Sequence, residues 1–96
     1  MKVVIDSNLM IGNIFEPPVE LVFQSDIITI KDVLERLGNI CGSVQFLRKD
    51  GDLGNDVDEV FINDENHIIL RRDLNTYLKE GDKVTVNIYY EILGGG

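Results

Sequence analysis

Basic residues are scarce in this chain of 96: 9 Lys and Arg stand against 17 Asp and Glu, a formal net charge of −8. Binding to phosphate backbones or anionic lipid rests on clustered Lys and Arg that release counterions, so the balance disfavours nucleic-acid and membrane-surface functions. The single cysteine, Cys41, excludes an internal disulfide. Stability must come from packing, and a reducing compartment is consistent with that. There is one histidine, His67, so with a lone cysteine no zinc ligand set can be assembled and no metal is expected. No apolar run is long enough for a membrane span. Lys2-Val3-Val4-Ile5-Asp6 is too short and too soon acidic for a signal peptide, and the chain reads as cytoplasmic. Repeats and low-complexity tracts are missing, and the length leaves room for one core.

Alanine is absent too, while 22 of the 96 residues are Ile or Val, a balance that predicts strands. Lys2 to Ser7 is a short β-branched run. Val19 to Gln24 is a second, entered through Pro17-Pro18, which suits a strand edge. Asn8 to Glu16 between them reads as a connection with room for a further strand pairing. Thr29 has the position of a helix N-cap, and Asp32 completes the spacing of a capping box. Ile30, Val33, Leu34 and Leu37 then form an amphipathic stripe before Gly38, which predicts a helix from Ile30 to about Leu37 with Gly38 as its C-cap. Ser43 to Arg48 reads as a strand, and Val57 to Asn63 with His67 to Leu70 as a pair around Asn63-Asp64-Glu65-Asn66. Gly81-Asp82 turns into Lys83 to Leu93, where Val84, Val86, Ile88, Tyr90 and Ile92 form one wholly apolar face. One helix must cover a mixed sheet of four or five strands. The order ββα followed by strands is that of an α+β β-grasp, with the first and last strands parallel neighbours. The expected organisation is a β-grasp domain over residues 1–93 and a flexible glycine tail over 94–96.

Val60-Phe61-Ile62-Asn63-Asp64-Glu65, then Leu74-Asn75-Thr76-Tyr77-Leu78-Lys79-Glu80-Gly81-Asp82-Lys83-Val84, then the terminal glycines make an ordered set. This set resembles the ubiquitin-like sulfur-carrier family (MoaD/ThiS), which includes the small subunit of molybdopterin synthase and the thiamine sulfur carrier. The family pattern is a strand, Asn-Gly-Glu, Leu-x-Thr-x-Leu, x-x-Gly-Asp-x-Val, a strand and a Gly-Gly end. Thr29 and its helix also lie where the family places its first helix, so the resemblance covers nearly the whole chain. The chain departs from the pattern at Asp64, where Gly is usual, in having Gly94 besides the Gly95-Gly96 pair, and in lacking the Pro pair common before the glycines of molybdopterin-synthase members. Asp50-Gly51-Asp52-Leu53-Gly54 resembles an insertion in longer carriers.

A carboxylate is a poor electrophile until ATP converts it to an acyl-adenylate with AMP as leaving group. A sulfur donor can displace AMP to leave a thiocarboxylate, or a lysine amine can displace it to leave an isopeptide bond. Either route needs the last α-carboxylate to reach the α-phosphate inside another protein, and glycine fits a narrow channel because it has no Cβ. The resemblance therefore implies that Gly96 carries the sulfur and that Gly94 and Gly95 thread it into an E1-like adenylating enzyme. That enzyme uses the ATP; the chain itself holds no cofactor and is a protein co-substrate. The acceptor would be the large subunit of a synthase or another sulfur-consuming enzyme, with molybdopterin favoured by length. Tyr89 and Leu93, on the mixed face of the last strand, either dock the partner beside the tail or pack under a neighbouring element. The acidic surface steers the chain toward a basic partner or serves solubility.

Other signals weaken when read residue by residue. Seven of the 17 acids lie between Asp50 and Glu65. Aligned from Asp50 as a calcium loop, Asn55 stands where Gly is required and Phe61 where Glu is, so the segment reads as a solvated acidic loop. Cys41 and His67 have no third orienting group, and Cys41 reads as a small buried hydrophobe. The terminal glycines precede no helix and cannot cradle phosphate. Two other functions remain: a modifier joined to lysines through Gly96, and an interaction module with an inert tail.

Overall fold

The computed structural model describes residues 1–63 and 74–89. The first β-branched run forms β1 (Lys2–Ser7), and the second forms β2 (Val19–Val22). They pair antiparallel with Val3 opposite Leu21 and Ile5 opposite Val19. β2 stops short of the expected Gln24, although Met1 and Phe23 still exchange hydrogen bonds at its end. The connection from Asn8 to Glu16 contains a tight turn in which Ile11 and Phe15 exchange backbone bonds of 2.8 Å. Its tip residue Asn13 has φ 66°, a left-handed conformation that Asn tolerates better than branched residues. Leu9 and Phe15 anchor the loop by burial in the core.

Helix α1 (Ile30–Ile40) starts where the capping residues place it. Asp32 N–H donates to Thr29 Oγ1 at 3.3 Å, and Thr29 N–H donates to Asp32 Oδ2 at 2.9 Å. These two bonds satisfy amides that the first turn leaves free, a device that contributes about 1 kcal/mol. Ile30, Val33, Leu34 and Leu37 are fully buried. The helix does not stop at Gly38 as expected: it continues to Ile40, and Cys41 is the C-cap. Keeping Gly38 in the helix costs about 1 kcal/mol relative to Ala. Cys41 is 1% exposed and Ile40 packs partly against the core; at about 0.8 kcal/mol per buried methylene, the two burials together offset that cost. Cys41 N–H also donates to Leu37 O at 2.8 Å, so the added turn closes with a bonded carbonyl.

The segment Ser43 to Arg48 is not a strand. Val44 and Phe46 are buried and Gln45 is exposed, so the alternation that suggested one is present. Its backbone partners come from the neighbouring loop instead of a ladder: Gly54 N–H donates to Phe46 O at 2.8 Å, Arg48 N–H to Asp52 O at 2.8 Å, and Gln45 N–H to Asp56 Oδ2 at 2.7 Å. Two turns of loop thus satisfy each other and seat Phe46, which is 1% exposed, in the core.

β3 (Val57–Ile62) and β4 (Lys83–Ile88) complete a sheet of order β2-β1-β4-β3. β4 runs parallel to β1, with Ile5 beside Val84 and Ser7 beside Val86, and antiparallel to β3, with Val60 beside Val86. Val84, Val86 and Ile88 are buried as the alternation requires, in one apolar cluster with Val3, Ile5, Leu21, Val60 and the buried stripe of α1. The domain is therefore α+β, a mixed four-stranded sheet with one helix among the described residues. The expected strand His67 to Leu70, the turn after Asn63 and the expected extension from Tyr90 to Leu93 lie outside the described residues. No helix among the described residues is long and apolar enough to cross a membrane.

Candidate functional site

The site read from the sequence lies beyond β4, and the two ends of that strand are held differently. At its start, Gly81 adopts φ +83°, a conformation that residues with a Cβ rarely take. Gly81 N–H donates to Lys2 O at 2.8 Å, and Asp82 O accepts from Val4 N–H at 2.9 Å. The Asp82 carboxylate accepts from Lys79 N–H at 2.8 Å and from Asn63 Nδ2 at 2.9 Å. Asn63, with φ 55°, returns a bond from its Oδ1, which accepts Lys83 N–H at 2.8 Å. The Gly81-Asp82 pair and Asn63 thus tie the turns before β4 and after β3 to each other.

Leu74 to Leu78 serves the helix. Ile30 N–H donates to Thr76 O at 3.1 Å and Lys31 N–H to Leu74 O at 2.9 Å, so two first-turn amides without intrahelical partners are satisfied by this segment. Leu78 N–H donates to Ile28 O at 2.8 Å, while Leu74 and Leu78 are buried. Tyr77 between them is 69% exposed.

At the far end of β4, the side chain of Asn8 bonds both polar groups of the Ile88 backbone. Asn8 Nδ2 donates to Ile88 O at 2.9 Å, and Asn8 Oδ1 accepts from Ile88 N–H at 2.8 Å. Tyr89 follows with its N–H donating to Asp56 O at 3.0 Å and its side chain 44% exposed. Of the residues selected from the sequence, Tyr89 is described. Leu93, Gly94, Gly95 and Gly96 lie outside the described residues. Asn8 was read only as part of a connection, and nothing local marks it: its role depends on β1 and β4 being neighbours across 80 positions.

Cys41 is buried, and burial raises its pKa above the ordinary thiol value. The folded state therefore keeps the neutral thiol, and this contribution to stability is present below the unfolded pKa of about 8.5 and is lost as pH rises past it. Iodoacetamide at pH 8 is expected to alkylate the native chain at least about tenfold more slowly than the urea-unfolded chain, because only the thiolate attacks. Equal rates would contradict the buried position.

The acidic segment is partly absorbed by the fold: Asp56 holds Gln45, Glu59 Oε1 accepts from Asn87 Nδ2 at 3.1 Å, and Asp50 pairs with Arg48 at 3.1 Å on the surface. An open groove of about 490 Å³ beside it is bordered by Glu35, Asn39, Ser43, Gln45 and Asp56. Among the described residues, no group of three or more His, Cys, Asp or Glu side chains is placed to hold a metal ion. Compared with protein-family models, curated proteins and solved structures, the chain matches none of the three.

Proposed function

We propose that the chain is a β-grasp sulfur carrier whose Gly96 carboxylate is adenylated and then thiocarboxylated by an E1-like enzyme, for delivery of sulfur to cofactor synthesis, with molybdopterin the favoured product. The observation that supports the reading most is topological. The parallel pairing of the first and last described strands puts β4 at the centre of the sheet, and the sequence after it ends in three glycines. A terminal group meant for another protein's active site needs a root held by the fold and, at the end of the segment that leaves it, residues without side chains.

The chemistry is redox-neutral. A Gly96 carboxylate oxygen attacks the α-phosphorus of ATP and pyrophosphate leaves. A hydrosulfide-level nucleophile then attacks the acyl carbon, AMP departs with the bridging oxygen, and the thiocarboxylate remains. The carrier contributes the acyl group and a surface; the adenylating enzyme contributes the nucleotide site and the catalytic residues.

Intact-mass analysis of the protein isolated from its own host tests this reading. The expected species has sulfur in place of one oxygen at Gly96, and alkylation after unfolding marks it apart from Cys41. A lysine adduct of the chain on other proteins, with no sulfur-bearing form, would instead assign it to the modifiers.

A further inference from the structure

Parallel pairing of β1 with β4 ends at Ser7 and Val86. Beyond it the β1 chain turns away: Ser7 Oγ donates to Val86 O and accepts from Leu9 N–H at 3.0 Å, which starts the connection toward β2. Ile88 would then have no β1 partner for its N–H and C=O. The Asn8 side chain supplies one, because a carboxamide carries the same donor and acceptor as a peptide group. On the opposite side, Val57 pairs with Ile88, and Asp56 O accepts Tyr89 N–H. The last turn of the ladder is therefore closed by a side chain on one flank and by backbone on the other.

We infer that Asn8 is a positioning residue for the C-terminal segment: it fixes the root from which residues 90–96 reach the adenylating partner. The inference rests on the carrier reading. Seven residues follow Tyr89 and extend at most about 25 Å, so the place and direction in which β4 ends set which volume Gly96 can reach. Without the Asn8 bonds, the β1 flank of Ile88 pairs with water, and the end of β4 must be ordered again at each encounter. That cost falls on docking and leaves the reacting groups unchanged.

The test uses the full chain, ATP and the adenylating enzyme of its own host, with pyrophosphate exchange as the readout. Asn8→Ala is compared with Asp82→Ala, which removes two side-chain bonds at the other end of the same strand. Re-ordering one or two residues is expected to raise the KM for Asn8→Ala about tenfold with kcat within about twofold of wild type. Asp82→Ala should lower the melting temperature without moving KM. Amide exchange at Ile88 should quicken about tenfold or more in Asn8→Ala alone, since exchange reports local opening. An unchanged KM or an unchanged Ile88 amide in Asn8→Ala overturns the inference, as does an equal KM increase in Asp82→Ala. An inert wild-type chain overturns the carrier reading itself, and this inference with it.

Discussion

Removing Gly95 and Gly96 is expected, on the proposed carrier reading, to abolish pyrophosphate exchange with the adenylating enzyme of the chain's own host while leaving the domain folded. The enzyme must bring a carboxylate into line with the α-phosphorus, and each missing residue withdraws it by about 3.3–3.6 Å. A displacement of even 1 Å costs on the order of a hundredfold in such reactions, so a shortfall of two residues should leave no measurable rate. Stability should change little, because two glycines offer no side chain to bury; the melting temperature is expected to stay within about 3 °C. Adding one alanine after Gly96 should be nearly as damaging, since it moves the carboxylate past its target. Exchange at the wild-type rate in the shortened chain would remove Gly96 from the chemistry.

Gly54→Ala is expected to have the largest effect on stability. A Cβ built at Gly54 would lie 1.9 Å from Gln45 O, 2.4 Å from Gln45 C and 2.8 Å from Phe46 C. All three are backbone atoms, so no rotamer change can make room, and the two loop segments must separate. Separation breaks the bond from Gly54 N–H to Phe46 O and lifts Phe46, one of the largest fully buried side chains, from the core. Overpacking alone costs about 1–3 kcal/mol, and part of the Phe46 burial is added to that. A loss of about 3 kcal/mol lowers the melting temperature of a domain of this size by roughly 12–24 °C. Gly12→Ala is the control, since nothing lies within 4 Å of its built Cβ; circular dichroism melts of the two would then differ widely. Matching melts would mean that the loop yields without disturbing Phe46.

The parts of the fold that sequence reading recovered are those decided locally or by strict alternation. Thr29 and Asp32 declare the helix start because both partners of the cap are three residues apart. Val84, Val86 and Ile88 declare β4 because a half-buried strand must alternate. The helix end departs from expectation because Gly38 gives a local stop signal, while the burial of Cys41 and Ile40, which overrides it, depends on the tertiary core. Ser43 to Arg48 shows the reverse case: burial alternates as in a strand, but the hydrogen-bond partners lie in the loop at Asp52, Gly54 and Asp56 and make no more than an isolated bridge. The proposed site at the chain end rests on composition, and of its residues only Tyr89 is among those described. The bonds from Asn8 to Ile88 are not legible in the sequence, because a carboxamide acting as a missing strand residue leaves no periodic trace.

The residues that carry the resemblance also separate into two kinds. Asn63, Gly81 and Asp82 build the start of β4, and Leu74 and Leu78 support the helix. They carry information about the fold. The terminal glycines carry the chemistry only under the proposed carrier reading, and they follow the other end of the strand.

The position of β4 between β1 and β3 has a consequence for biosynthesis. Until residues 83–88 are available, β1 and β2 can form only a hairpin, β3 has no neighbour among the described strands, and the apolar face of α1 lacks much of its cover. A two-stranded ribbon alone is marginal in water. The sheet therefore closes late, through contacts between distant parts of the chain, which slows folding relative to a helical bundle of this size. The strand that completes the core is also the strand that leads to the glycines. Under the proposed carrier reading, a partner that gripped the root of β4 would select chains that have finished folding.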